Sequence, residues 1–172
     1  EGEESIEINE TNFPDANFRN YVQGFDTVDD DILSGTEIAA VTSISVSDKG
    51  ISNLKGIEYF TALQNLICSS NQLKSLDVSQ NTALTYLYCD DNQLTSLDVS
   101  KNTALTELFC YDNQLTSLDV SKNTALTELN CYSNKLTSLD VSQNTAMTVL
   151  YCDNNPLTSI DVSGCTALTE LY

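Results

Sequence analysis

Residues 83–103 read ALTYLYCDDNQLTSLDVSKNT and residues 104–124 read ALTELFCYDNQLTSLDVSKNT. The same 21-residue phrase, AL-x-x-L-x-C-x-x-N-x-L-x-S-(L/I)-D-V-S-x-x-T, runs from Ala62 to Thr166, with Met147 as its conservative exchange. A fixed period of this size marks one supersecondary turn that cannot bury its own apolar face and must stack on its neighbours. The chain is therefore expected to be a solenoid. In the first half of the unit, inward Leu84, Leu87 and Cys89 alternate with outward Tyr86, Tyr88 and Asp90, and period two means a strand. A strand that returns in the same sense every 21 residues pairs in parallel with its predecessor, through a right-handed crossover on the far side of the coil. The second half is too short for a helix plus two turns, so Leu97, Val99 and Ala104 are expected to be buried from extended backbone and tight turns.

Three columns follow from the period. Cys68, Cys89, Cys110, Cys131 and Cys152 share one phase. In a parallel sheet they lie about 4.8 Å apart with parallel side chains, which suits small buried hydrophobes and makes a disulfide torsion hard to reach. Cys165 falls instead at the phase of Asn81, Asn102, Asn123 and Asn144 and is expected to be the exposed thiol. Asn71, Asn92, Asn113, Asn134 and Asn155 follow the strand, where the bending backbone loses its ladder partners and a buried amide satisfies it. Asp77, Asp98, Asp119, Asp140 and Asp161 form an acidic column, each carboxylate being expected to accept a backbone N–H in an Asx-type turn rather than to collect cations.

Length and charge set the outer limits. With 172 residues, 41% of them hydrophobic, the chain suffices for one domain and its core. Against 7 Lys and Arg stand 25 Asp and Glu, a formal charge of −18 that repels nucleic acid and anionic lipid alike. No stretch reaches the roughly 18 to 20 apolar residues of a membrane helix, and the Glu-Gly-Glu-Glu opening is not laid out as a signal peptide. The protein is then cytosolic, or its export signal preceded Glu1. The chain has no histidine, its column cysteines are inward, and no Ser or Thr has a base beside it, so an enzyme is not expected. Glu107 and Glu128 would serve as a glycosidase pair only in a deep cleft.

Before the repeats, Pro14 is placed to open a helix whose Phe18, Tyr21, Val22 and Phe25 share a face and cover the first coil. Next comes Asp26-Thr-Val-Asp-Asp30-Asp31-Ile32-Leu33-Ser34-Gly-Thr-Glu37, spaced as a twelve-residue EF-hand loop with candidate calcium ligands Asp26, Asp30, the Ile32 carbonyl, Ser34 and Glu37. Val28 stands at the third loop position, where an oxygen donor belongs, and Asp31 at the sixth, where glycine permits the turn. The competing reading is structural, since Ser34-Gly-Thr-Glu37 is a capping box for a helix through Ile38, Ala39 and Ala40. No cofactor is expected otherwise.

The pattern L-x-x-L-x-C-x-x-N-x-L resembles the leucine-rich repeats of bacterial secreted and cell-surface proteins, and Val41-Thr-Ser-Ile44-Ser-Val46 with Ile51, Leu54, Ile57 and Phe60 resembles an internalin-type 22-residue unit. In that unit Lys49 replaces the asparagine, so its coil is expected to bend differently. The 26–37 segment is similar to calcium loops of the dockerin kind. The resemblance implies an α/β fold: a leucine-rich repeat solenoid, right-handed, with a parallel sheet on the concave side, turns and extended segments on the convex side, and a small helical cap. The expected division is 1–40 for the cap with its degenerate EF-hand-like loop. The range 41–172 is then the solenoid, with one 22-residue unit, five of 21 and a partial sixth. The resemblance also implies a secreted or surface location.

Function then rests on the outward strand positions: Tyr86 and Tyr88, Glu107 and Phe109, Glu128 and Asn130, Val149 and Tyr151, extended beyond the cysteines by Asp90, Tyr111, Asp112 and Tyr132. An aromatic and acidic face suits recognition or adhesion, with a protein or carbohydrate ligand and a preference for basic partners. The alternative is a spacer of a larger surface protein with no ligand of its own. Leu168 and Leu171 in the last partial unit leave an unpaired strand that implies further repeats or end-to-end self-association.

Overall fold

The computed structural model describes residues 5–172; residues 1–4, with which the expected cap begins, lie outside the described residues. In chain order the elements are β1 (Ile6–Glu7), α1 (Ala16–Val22), β2 (Ile32–Leu33), α2 (Gly35–Ala40), β3 (Ser43–Ser45), β4 (Asn65–Ile67), β5 (Tyr86–Tyr88), β6 (Glu107–Phe109), β7 (Glu128–Asn130), β8 (Ser138–Asp140), β9 (Val149–Tyr151), β10 (Ser159–Asp161) and β11 (Glu170–Leu171). Seven of the strands form one sheet in the order β11-β9-β7-β6-β5-β4-β3. Every pairing in it is parallel, and each residue faces its equivalent one unit away, as Leu87 faces Leu66 and Leu108. On the opposite side the backbone is extended, and β8 and β10 pair there in parallel. The chain is a parallel-sheet solenoid with a small helical cap.

One apolar column lines the sheet from within. Leu66, Leu87, Leu108, Leu129 and Leu150 are fully buried, and the five-membered cysteine column beside them is buried as well. All six cysteines are free thiols. Cys68 and Cys152 direct their sulfurs at the carbonyls of Tyr88 and Tyr172 in the following coil, at 3.4 and 3.3 Å. Burial pushes these thiols up, that of Cys110 to about 12, so the nucleophilic thiolate is withheld.

Just past the strand the chain turns through a left-handed residue in every coil: Asp48, Ser70, Asp91, Asp112, Ser133 and Asn154 all have positive φ. The asparagine that follows completes the bend. Asn92 Oδ1 accepts from the Leu73 N–H at 3.0 Å, and its Nδ2 donates to the carbonyls of Cys68, Cys89 and Asp90 at 3.1 Å each. Asn113 and Asn134 repeat the set. In the first coil, where Lys49 replaces the amide, Asp48 keeps its left-handed turn and Gly50 adds a second at φ +65°. That coil does bend differently.

Two expectations about the far side are corrected. Ala104 is exposed, whereas Asn81, Asn102, Asn123 and Asn144 are fully buried. The reason is backbone chemistry: where the coil turns, carbonyls of the preceding coil face inward and need donors, which a methyl lacks. Asn102 Nδ2 donates to Val78 O and Asn81 O, both at 2.9 Å, and Asn123 and Asn144 do the same one coil on. Cys165 occupies this column, so it is buried rather than exposed, with its sulfur 3.2 Å from Val141 O and 3.6 Å from Asn144 O.

The cap needs one correction. Pro14 does not begin α1; it precedes Asp15, whose carboxylate caps the helix by accepting from Asn17 N and Phe18 N. Its other oxygen accepts from the Ser52 N–H and hydroxyl and the Asn53 N–H, tying the helix to the first coil. Phe13, Phe18 and Val22 are buried against that coil, with the Phe13 ring 6.4 Å from that of Phe60. Gly56, at φ +104°, lets Phe13 approach, because a Cβ there would stand 2.2 Å from its ring. The Tyr21 hydroxyl accepts from Ser45 N at 3.1 Å and so covers the edge of β3.

Candidate functional site

The parallel register converts each outward phase into a row across the sheet. Tyr86, Glu107, Glu128, Val149 and Glu170 make one row; Tyr88, Phe109, Asn130 and Tyr151 make the next. All of these rows lie on the open face, with Tyr86 at 39% exposure and Tyr88, Glu107, Phe109, Glu128 and Tyr151 half-buried. The aromatic side chains pair across coils: Tyr88 stacks on Phe109 at 4.4 Å and 8°, Tyr111 on Tyr132 at 4.8 Å and 14°, and Tyr151 on Tyr172 at 4.9 Å and 7°. Those separations lie close to the strand spacing, so the sheet itself sets the stacking distance.

Tyrosine hydroxyls reach sideways to carboxylates. Tyr88 donates to Glu107, Tyr132 to Asp112 at 3.0 Å, and Tyr151 to Glu170 at 3.4 Å. Burial and the Glu107 carboxylate hold the Tyr88 phenol well above its ordinary value, and burial followed by Asp90 pushes Tyr111 up to about 12. These groups stay neutral donors across the physiological range. The Glu128 carboxyl is raised by burial, then by Glu107 and Glu170.

Asp90 departs from the expected surface. It is 6% exposed and accepts from the Ser69 hydroxyl at 2.7 Å, while the carboxylate lies close enough to Tyr111 of the next coil to raise its phenol. Two side chains from neighbouring coils enclose it, so it serves the face from beneath. Tyr111, Tyr132 and Asp112 remain half-exposed beside it. Sequence reasoning placed the rows but not the ring pairs; the signal was there, in aromatic residues of adjacent units at one phase.

The 26–37 loop is organised by its two end carboxylates. Asp26 accepts from the N–H groups of Val28, Asp29 and Asp31, at 3.2, 2.8 and 2.8 Å. Glu37 accepts from Thr27 N at 2.6 Å through one oxygen and from the Ser34 N–H and hydroxyl, both at 2.9 Å, through the other. The Thr27 hydroxyl, then Ser34 and Thr27 amides, pull its carboxyl down to about 2. Asp30 accepts from Ile32 N at 3.1 Å, and Ser34 and Glu37 form the capping box of α2. Asp31 takes the left-handed turn that glycine would, at φ +62°. Among the described residues no three His, Cys, Asp or Glu side chains are grouped to hold a metal ion.

The acidic column on the far side consists of Asx turns. Each of Asp77, Asp98, Asp119, Asp140 and Asp161 accepts from the N–H two residues on at 2.9 Å. Among the described residues no helix is long and apolar enough to cross a membrane.

Coil length, strand phase and the asparagine after the strand define a leucine-rich repeat protein, and the family model for leucine-rich repeats in two copies matches residues 61–102 and 103–144. Over 71 residues, 41% of this chain, the sequence is 47% identical to internalin J of Listeria monocytogenes serotype 4b (strain F2365), of which it covers 8%. The solved functional domain of InlJ from Listeria monocytogenes, whose description includes a cysteine ladder, superposes with a TM-score of 0.90 at 45% identity, over 98% of this chain and 38% of that one. Internalin C2 of strain 4b F2365 shares the fold, with a TM-score of 0.70 at 19% identity, over 97% of this chain and 86% of that one. The chain is a bacterial, internalin-like leucine-rich repeat protein. It spans well under half the length of internalin J and of the solved InlJ chain.

Proposed function

We propose that this chain is a non-catalytic recognition module, displayed outside the bacterial cell, that binds a protein through the open face of its sheet. The observation that carries the reading is the set of three stacked aromatic pairs on that face, bordered by carboxylates. Stacked rings held at the strand spacing are pre-ordered, so binding immobilises little that was free. Aromatic anchors are also the side chains that dominate interface energies. Internalin-like repeats of this kind generally serve protein interaction or adhesion.

Replacing Tyr88, Phe109 and Tyr151 together with serine tests the reading in a host-cell adhesion assay. These side chains lie outside the core, so the variant is expected to fold and to lose adhesion. Unchanged adhesion would leave the chain a spacer that only projects other parts of a larger protein.

A further inference from the structure

From Tyr88 to Tyr151 the row Tyr88, Phe109, Asn130, Tyr151 places an aromatic ring in every layer but that of Asn130, and Ile67 continues the row beyond Tyr88. Tyr88 and Phe109 stack on one side of Asn130, Tyr151 and Tyr172 on the other. Phe109 and Tyr151 each neighbour Asn130, so they stand two strand spacings apart, about 9.6 Å. The asparagine amide is shorter than a ring, which leaves one ring layer open above it, with an aromatic group on each side.

The same coil breaks a second regularity. A residue of this row lies 19 positions before the carboxylate it serves: Tyr88 donates to Glu107, and Tyr151 to Glu170. The residue 19 before Glu128 is Phe109, which has no hydroxyl. The Glu128 carboxylate therefore accepts no hydrogen bond among the described residues, and its electrostatic neighbours are Glu107 and Glu170, both of like charge. No lysine or arginine occurs in 65–71, 86–92, 107–113, 128–134 or 149–155, so the chain supplies no cation to this face.

Resting on the recognition reading above, we propose that the open layer at Asn130 seats an arginine side chain of the partner protein. Its planar guanidinium takes the place of the missing ring, stacked between Phe109 and Tyr151, and donates to the unpaired Glu128 carboxylate. Charge, planarity and donor geometry all select guanidinium over ammonium, which presents no flat face to the two rings.

The test uses the full chain, isotope-labelled for NMR, titrated with acetyl-Gly-Arg-Gly-amide and with the same peptide carrying citrulline, which keeps the shape and loses the charge. The arginine peptide is expected to shift the Glu128, Asn130 and Tyr151 amides in a saturable way, and the citrulline peptide to leave them in place. Glu128→Gln should weaken binding roughly tenfold. Asn130→Tyr, which fills the layer with a side chain already accepted at this phase in neighbouring coils, should abolish it; thermal melts check that both variants are folded. Equal binding by the citrulline peptide, no saturable shift with arginine, or undiminished binding in Asn130→Tyr overturns the proposal. The adhesion assay separates the two readings. If Asn130→Tyr and Glu128→Gln adhere like the parent while the triple serine variant does not, the arginine seat falls and the recognition face stands. If all three adhere like the parent, both fall.

Discussion

Two asparagine columns run the length of the solenoid, and the same side chain is used differently in each. Beside the sheet, Asn113 uses both ends of its amide, accepting from Leu94 N at 2.9 Å and donating to the carbonyls of Cys89, Cys110 and Tyr111. On the far side, Asn123 donates to Val99 O and Asn102 O, but its Oδ1 is buried without a partner, as are those of Asn81, Asn102 and Asn144. The first column needs donor and acceptor together; the second needs a donor alone. That difference explains why a cysteine is accepted at position 165, where an S–H supplies a donor and removes the orphaned oxygen.

The comparison can be broken by substitution. Asn113→Ala leaves the buried Leu94 N–H without an acceptor and removes one of two donors from each of three carbonyls; it is expected to cost about 4 kcal/mol, against about 2 kcal/mol for Asn123→Ala, by urea unfolding. Equal losses would show that the two columns do the same work. A sharper version uses cysteine in both: Asn134→Cys should cost about 3 kcal/mol because Leu115 N loses its acceptor, while Asn144→Cys, copying position 165, should cost about 1 kcal/mol. The reverse order would remove the donor-only account.

The cap loop tests the same logic with a charged acceptor. Glu37 has its carboxyl lowered to about 2, so the order it confers is complete above its ordinary value near 4.5 and is lost as pH falls through about 2. Amide exchange at Thr27 and Ser34 should accelerate across that window while the Leu108 amide stays protected; uniform acceleration would mean the loop melts with the core. The smallest expected effect concerns calcium. Because Asp26 and Glu37 already accept from the loop's own donors, calorimetric titration with calcium is expected to give no binding heat. A saturable one-site isotherm would show that the ion displaces these bonds.

Much of this architecture can be read from the 21-residue phrase, because a strict period leaves parallel stacking as the way to bury Leu and Cys. The Asn92 column is also legible, since backbone leaving a strand must find partners. The Asn102 column is not. In S-K-N-T-A the alanine is the one apolar residue, and only the position of Val78 O and Asn81 O reveals that this point of the coil needs a donor inside. The site divides in the same way. Period two fixes which of Tyr88, Glu107, Phe109 and Glu128 face outward, whereas the enclosure of Asp90 depends on Ser69 and Tyr111 from the coils on either side. At the cap, Pro14 suggested a helix start, but Asp15 takes the capping role because its second oxygen also serves Ser52 and Asn53.

Thiol titration of the native chain with Ellman's reagent tests the in-register stack most directly. All six cysteines, Cys165 included, are buried, so none is expected to react until denaturant is added, when six should appear together. Rapid reaction of the five column thiols in the native state would place that column outside and contradict the stack.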